Sequence, residues 1–268
     1  MLKQAKPYTK VFKLTWSSAS DYRMNFIFNF ICSFIPIIAM LFLWKAIYSS
    51  NAKIGNYDMY LMFSYVILSR FLYLLIVPDF FFDVTDEIES GNLSNYIVRP
   101  INYLKLWFFK ALGSKSQGIV SQIIPMLLIL IICNKEISFN LSLRNFVLLV
   151  ITSAISYILY FLIFMSVSLL NFWFYEISSW FYTVSFVIEF LSGVIIPIDL
   201  LPDILQQILK YLPFKYLIYF PIKTFVGSAS TLEIIYGIMI QLIWTIISLI
   251  LLHFLWMQGR KKYDAYGG

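Results

Sequence analysis

Long apolar runs separated by short polar segments dominate the chain. Six of them, at 25–48, 57–82, 104–133, 146–172, 178–198 and 232–257, reach the roughly 20 residues that an α-helix needs to cross a bilayer. They predict an all-α integral membrane protein with one six-span domain over 25–257, a polar N-terminal segment at 1–24 and a short tail at 258–268. The third run is the least uniform, because Gly113, Ser114, Lys115 and Gly118 make its first part polar. No soluble domain separates any two runs.

Three segments between the runs have patterns of their own. In the first, Tyr8, Val11, Phe12, Trp16, Ala19 and Tyr22 share a helical arc of roughly 140°, with Lys3, Lys6, Lys10 and Lys13 nearly opposite. Opposed aromatic and lysine faces predict an amphipathic helix at the membrane surface, aromatics toward the acyl boundary and lysines toward anionic headgroups. The second, at 197–230, is apolar but punctuated by Pro197, Pro202, Pro213 and Pro221, so one spanning helix is excluded. It predicts a short re-entrant hairpin with a helix over 202–212, opened by Pro202 and stopped by Pro213. The third lies between the second and third runs. Asp83, Asp86, Glu87 and Glu89 come first, then Gly91, then a short apolar stretch ending at Arg99 and Pro100. A short surface helix, a glycine turn and a second short helix follow from that order, a rigid knob for a soluble partner.

Composition narrows the class. The chain has 268 residues, 60% hydrophobic and 13% charged, with mean hydropathy +0.80. Soluble domains sit near 45–50% apolar and about 25% charged, so a soluble globular protein is excluded, and a disordered chain needs the opposite bias. The net charge of +6 bears on orientation rather than on nucleic acid. With both termini in the cytoplasm, twelve of the twenty basic residues lie inside, seven lie outside, and Arg70 falls within a span. Cys32 and Cys133 lack metal-ligand spacing and fall near opposite faces, so no disulfide is expected between them. The first run follows a lysine-bearing segment without a small-x-small cleavage site, which predicts an anchor rather than a cleaved signal.

Catalytic chemistry finds little support. His253 is the only histidine, no G-x-S-x-G occurs, and one histidine is too few ligands for a metalloprotease. Gly113, Ser114, Lys115 and Ser116 lack the G-x-x-x-x-G-K-[ST] spacing of a phosphate loop. No cofactor or metal is expected in this chain, and it does not hydrolyse ATP by itself. Two charges stand inside spans, Arg70 in the second and Glu189 in the fifth, at depths about 6 Å apart by helical rise. An ion alone in hydrocarbon is costly, so each is expected to face the bundle and find a partner, as a gating pair or otherwise.

The series Glu87, Ile88, Gly91, Leu93, Arg99 and Pro100 resembles the loop of type-2 ABC exporter permeases. Three further features resemble the small bacterial six-span branch of that class. They are the start Tyr22, Arg23, Asn25 and Phe26, the run from Ser192 and Gly193 through Pro197, Pro202, Pro213 and Phe214 to Pro221, and the tail Gly259, Arg260 and Tyr263 to Gly267 and Gly268. The resemblance implies a permease subunit that pairs with a second six-span permease, the same or related. It implies docking on separate ATP-binding-cassette ATPases, which bind ATP and Mg, and export of a substrate across the cell membrane; the aromatic, largely uncharged spans suit an amphipathic or lipid-like one. The implied docking residues are Asp86, Glu87, Ile88, Glu89, Gly91, Asn92, Leu93 and Tyr96, with Tyr8, Lys10, Phe12, Lys13 and Trp16 on the interfacial helix. An intramembrane enzyme and an ATP-independent channel or transporter are the competing readings.

Overall fold

The computed structural model describes residues 2–20, 23–50, 53–132, 142–174 and 177–263. Tyr22, Cys133, Gly267 and Gly268 lie outside the described residues. Apart from one antiparallel bridge between Ile54 and Tyr57, the regular structure among the described residues is helical.

The helices follow the apolar pattern, and their ends follow local chemistry. α1 (Leu2–Ser20) is the amphipathic segment and α2 (Arg23–Tyr48) the first run. α3 (Met59–Ile76) starts where the Asp58 carboxylate accepts from the Leu61 N–H at 2.7 Å, satisfying an orphan donor. It stops at Ile76, six residues short of the expected end. Val77 precedes Pro78 and is forced out of the helical region, with ψ at 120°. Phe81 and Phe82 therefore belong to the next helix, α4 (Phe81–Glu89), which is followed by the one-turn α5 (Ser94–Ile97). α6 (Tyr103–Ile132) and α7 (Leu143–Leu169) cover the third and fourth runs, and a 3-10 turn, Leu170–Phe172, closes α7. α8 (Ser178–Leu191) is shorter than its run.

Past α8 the prolines impose the expected break. α9 (Asp203–Leu209) is capped by Pro202, and α10 (Tyr219–Val226) ends at Gly227, whose φ of 78° is the left-handed conformation that suits glycine. α11 (Thr231–Lys262) opens with a capping box, Ser230 and Glu233 bonding each other's backbone, and closes with Arg260, Lys261 and Lys262.

Among the described residues, three helical stretches, Met59–Glu89, Leu143–Phe172 and Thr231–Lys262, are long and apolar enough to cross a membrane; Ile35–Tyr48 and Trp180–Leu191 are shorter apolar stretches. α3 is the central post, with Met62 to Ser69 all buried. α11 is built inside out. Its buried positions include Gly237, Gln241, Ser248 and Gly259, while Ile243, Ile246, Ile247, Ile250 and Phe254 are exposed. Lipid tails are as apolar as leucine, so small and polar residues make the helix contact and aliphatic ones face the bilayer. Gln241 shows what the contact gains: its amide donates to the Thr152 carbonyl, the Ser156 hydroxyl and the Tyr216 carbonyl at 3.2, 3.0 and 2.8 Å.

Candidate functional site

The acidic segment folds into an elbow at one end of the bundle. α4 buries Phe81, Val84, Thr85 and Ile88, positions three and four apart that make one apolar face. The chain then reverses at Gly91, whose φ of 80° suits glycine. The Leu93 N–H bonds the Glu87 carbonyl at 2.8 Å, and the Ser94 hydroxyl bonds the Gly91 carbonyl at 2.8 Å. Leu93 is fully buried, so Ile88 and Leu93 anchor the elbow from within.

The acids do not all point outward. Both Glu87 oxygens are engaged inside the chain: one accepts from the Tyr96 hydroxyl at 3.2 Å, the other from the Tyr103 hydroxyl at 2.8 Å and the Trp107 indole at 3.1 Å. Among the expected docking residues, Glu87 is thereby tied to α6 from within the chain. Burial, and then the nearby Glu87 charge, raise the Tyr96 pKa, which keeps its hydroxyl a donor. Glu89 accepts from the Asn171 amide at 3.0 Å, and the same amide group reaches the Thr85 carbonyl at 3.2 Å. Asp86 and Asn92 are exposed, and Gly91 and Tyr96 are half-buried.

The outermost apolar groups lie just past the expected segment. Ile97 is 45% exposed and Val98 81% exposed, followed by exposed Arg99 and Pro100. Sequence reasoning passed over this pair, although two adjacent β-branched residues beside Arg-Pro at the end of a polar segment were the available signal.

A second constellation lies between α3 and α8. Arg70 and Glu189 form an ion pair with Nη1 and Oε1 2.5 Å apart, their side chains only 16% and 17% exposed. The expected partnership of these two charges is thus realised within one chain. Neighbouring bonds fix it: the Tyr65 hydroxyl donates to the Gly193 carbonyl and the Ser69 hydroxyl to the Val194 carbonyl, so α3 grips the turn that ends α8. The Arg70 guanidinium also sits 5.9 Å from the centre of the Tyr73 ring. Glu189 also lines a cleft of about 410 Å³, whose walls include Tyr73, Phe81, Phe82, Phe181 and Phe186. Asp79 and Lys115, paired at 3.0 Å, line it as well.

α1 lies along α6 in the same chain direction. The Tyr8 ring stacks on Phe109 at 5.6 Å, and its hydroxyl accepts from the Asn102 N–H at 3.1 Å. At Gly113 the two backbones come so close that a Cβ would stand 2.8 Å from the Phe12 carbonyl oxygen. That contact explains the glycine in the polar start of the third run. Tyr8 and Phe12 are half-buried against protein, Lys10 and Lys13 are exposed, and Trp16 is at the exposed edge. His253 is exposed on α11, and among the described residues no three His, Cys, Asp or Glu side chains are grouped to hold a metal ion.

Among known families, the model described as "ABC-2 family transporter protein" matches residues 34–267, taking in the elbow, the ion pair and the proline-broken segment. None of the curated proteins compared with the chain gives a match.

Proposed function

The chain belongs to the ABC-2 transporter family, and from that premise we propose that it is the membrane permease of an exporter driven by ATP hydrolysis on a separate subunit. Family membership makes it a permease component of an ABC transporter, a multi-pass membrane protein whose family works with an ATP-binding-cassette subunit. The finer reading has six spans, namely α2, α3, α6, α7, α8 and α11, with both termini and the elbow in the cytoplasm and α9 and α10 on the outer face of the cell membrane. Two such permeases, identical or related, stand on two ATPases that bind ATP and Mg.

The observation that carries this reading is the elbow. It is held from behind by Glu87, Ile88 and Leu93, and it offers a small apolar tip, Ile97 and Val98, flanked by charged Asp86 and Arg99. A pre-formed tip with an apolar centre and a charged rim is suited to a groove on a soluble partner. Asp86, Glu89 and Asn92 supply its polar contacts, while Glu87 sets its position. The aromatic cleft beside Glu189 then takes an amphipathic or lipid-like substrate on its way outward.

Co-purification tests the reading. The tagged chain should recover an ABC ATPase from its native membrane, and Val98→Asp should abolish recovery without lowering the amount of membrane-inserted chain. Recovery unchanged by Val98→Asp would remove the elbow tip from the docking surface.

A further inference from the structure

The elbow is held by more than its own turn. Three aromatic groups of α6 and α11 stand behind Glu87 in a chain of contacts. Tyr103 and Trp107, both buried, donate to its carboxylate. The Trp256 indole of α11 stacks on the Tyr103 ring, centres 5.1 Å apart and planes within 8°. Trp256 also meets Phe172 at 6.3 Å, and Phe172 in turn meets Tyr263 at 6.0 Å, edge-on. Phe172 is so close to α11 that a Cβ on Gly259 would stand 2.0 Å from its ring. From the neighbouring residue, Asn171 holds Glu89 and the Thr85 carbonyl. Four separate pieces of chain therefore meet here: the elbow, the start of α6, the turn after α7 and the last two turns of α11.

We propose that the end of α11, from Trp256 to Tyr263, is a strut that fixes the elbow through Tyr103 and Glu87, so that the elbow and the inner ends of α6, α7 and α11 move as one block. Trp256, Tyr103 and Glu87 are positioning residues: they act through the elbow and touch neither nucleotide nor substrate. The block follows from the kinds of contact involved. A hydrogen-bonded carboxylate with both oxygens engaged resists reorientation, because each released donor would be left unpaired in a buried place. A stacked indole and phenol add a contact of defined geometry. Packed interfaces of this kind shift between discrete arrangements rather than deform continuously. A push on Ile97 and Val98 would then displace three spanning helices together instead of bending α4 and α5. The inference rests on the reading of the elbow as the ATPase contact, and it adds a role for a tail that the family match does not assign.

The experiment measures distance and turnover on the full chain in lipid nanodiscs, with Cys32 and Cys133 replaced. Spin labels at exposed Asn95 and Gln258 report on the block, and a label pair at Asn95 and Ser228 reports on the two ends of the bundle. The unmodified block should give one narrow Asn95–Gln258 distance that stays put when the co-purified ATPase is trapped with ATP and vanadate. The Asn95–Ser228 distance should shift. Trp256→Ala should broaden the first distance and lower chain-stimulated ATP turnover by up to about ten-fold, the worth of one aromatic pair. Trp256→Phe, which keeps a ring against Tyr103, should restore most of both, and Tyr103→Phe should lower turnover with the stack intact. A Trp256→Ala distance as narrow as the original, or an original Asn95–Gln258 distance that shifts on trapping, overturns the strut. The distance in the chain alone still decides whether the strut exists if no ATPase co-purifies, an outcome that counts against the exporter reading instead.

Discussion

At the residue scale, Glu87 and Glu189 show how differently two carboxylates are used. Glu87 is satisfied by three neutral donors at the bundle end, whereas Glu189 is satisfied by one guanidinium within it. Removing either leaves its partners unpaired, but the consequences differ in size. Glu87→Ala strands Tyr96, Tyr103 and Trp107; an unsatisfied buried donor costs about 1–3 kcal/mol. Glu87→Gln keeps an acceptor and should cost less. Thermal unfolding in detergent should therefore rank the original above Gln above Ala, and an Ala variant as stable as Gln would contradict the hydrogen-bond account. For the ion pair, Arg70→Glu or Glu189→Arg leaves two like charges in a poorly solvated place, a loss of several kcal/mol by analogy with broken buried pairs. The double swap restores opposite charges on the same two helices. Its recovery of folded yield and of transport by a good part is the expected result, and a double variant no better than either single one would argue that Arg70 and Glu189 act separately.

At the element scale, hydrophobic length identified the principal helices but not where two of them stop. The second run read through to Phe82 because Val77, Pro78 and Phe80 are apolar. The helix ends at Ile76 because Pro78 constrains the residue before it, a local effect that a hydropathy window averages away. The fifth run read on to Ile198 for a similar reason, while the chain turns at Gly193. The elbow itself was legible from Gly91 and the acids around it. The direction in which Glu87 points was not, because its donors Tyr103 and Trp107 lie 16 and 20 residues further on in another helix. Nor could spacing show that α1 turns its aromatic face partly onto α6. That packing makes Gly113 testable: Gly113→Val would place side-chain atoms against the Phe12 carbonyl, and backbone cannot rotate aside. Spin labels at positions 12 and 10 should report Phe12 deeper than Lys10 in the original chain. In Gly113→Val the difference should shrink as α1 lifts from α6. Equal depths in the original chain would remove the interfacial placement of α1.

At the scale of the whole molecule, the exposed surfaces of two apolar helices differ in kind. α11 presents aliphatic residues such as Ile243, Ile246, Ile247 and Ile250, whereas the shorter α8 presents Trp180, Tyr182 and Phe186. Aliphatic chains match lipid tails; aromatic residues are enriched where proteins meet proteins. The aromatic cleft lies against the α8 surface, with Tyr182 and Phe186 belonging to both. A second permease set against α8 would therefore cover the aromatic face and enclose the cleft between the two copies, while leaving α11 to the bilayer. With Cys32 and Cys133 replaced, a single cysteine at Phe186 should cross-link two copies under mild oxidation, and one at Ile246 should not. Addition of an amphipathic probe that fills the cleft should slow the Phe186 cross-link, because the probe and the partner's approach share that space. Linking at Ile246 with none at Phe186 would move the interface to α11 and leave the cleft open to lipid in each copy.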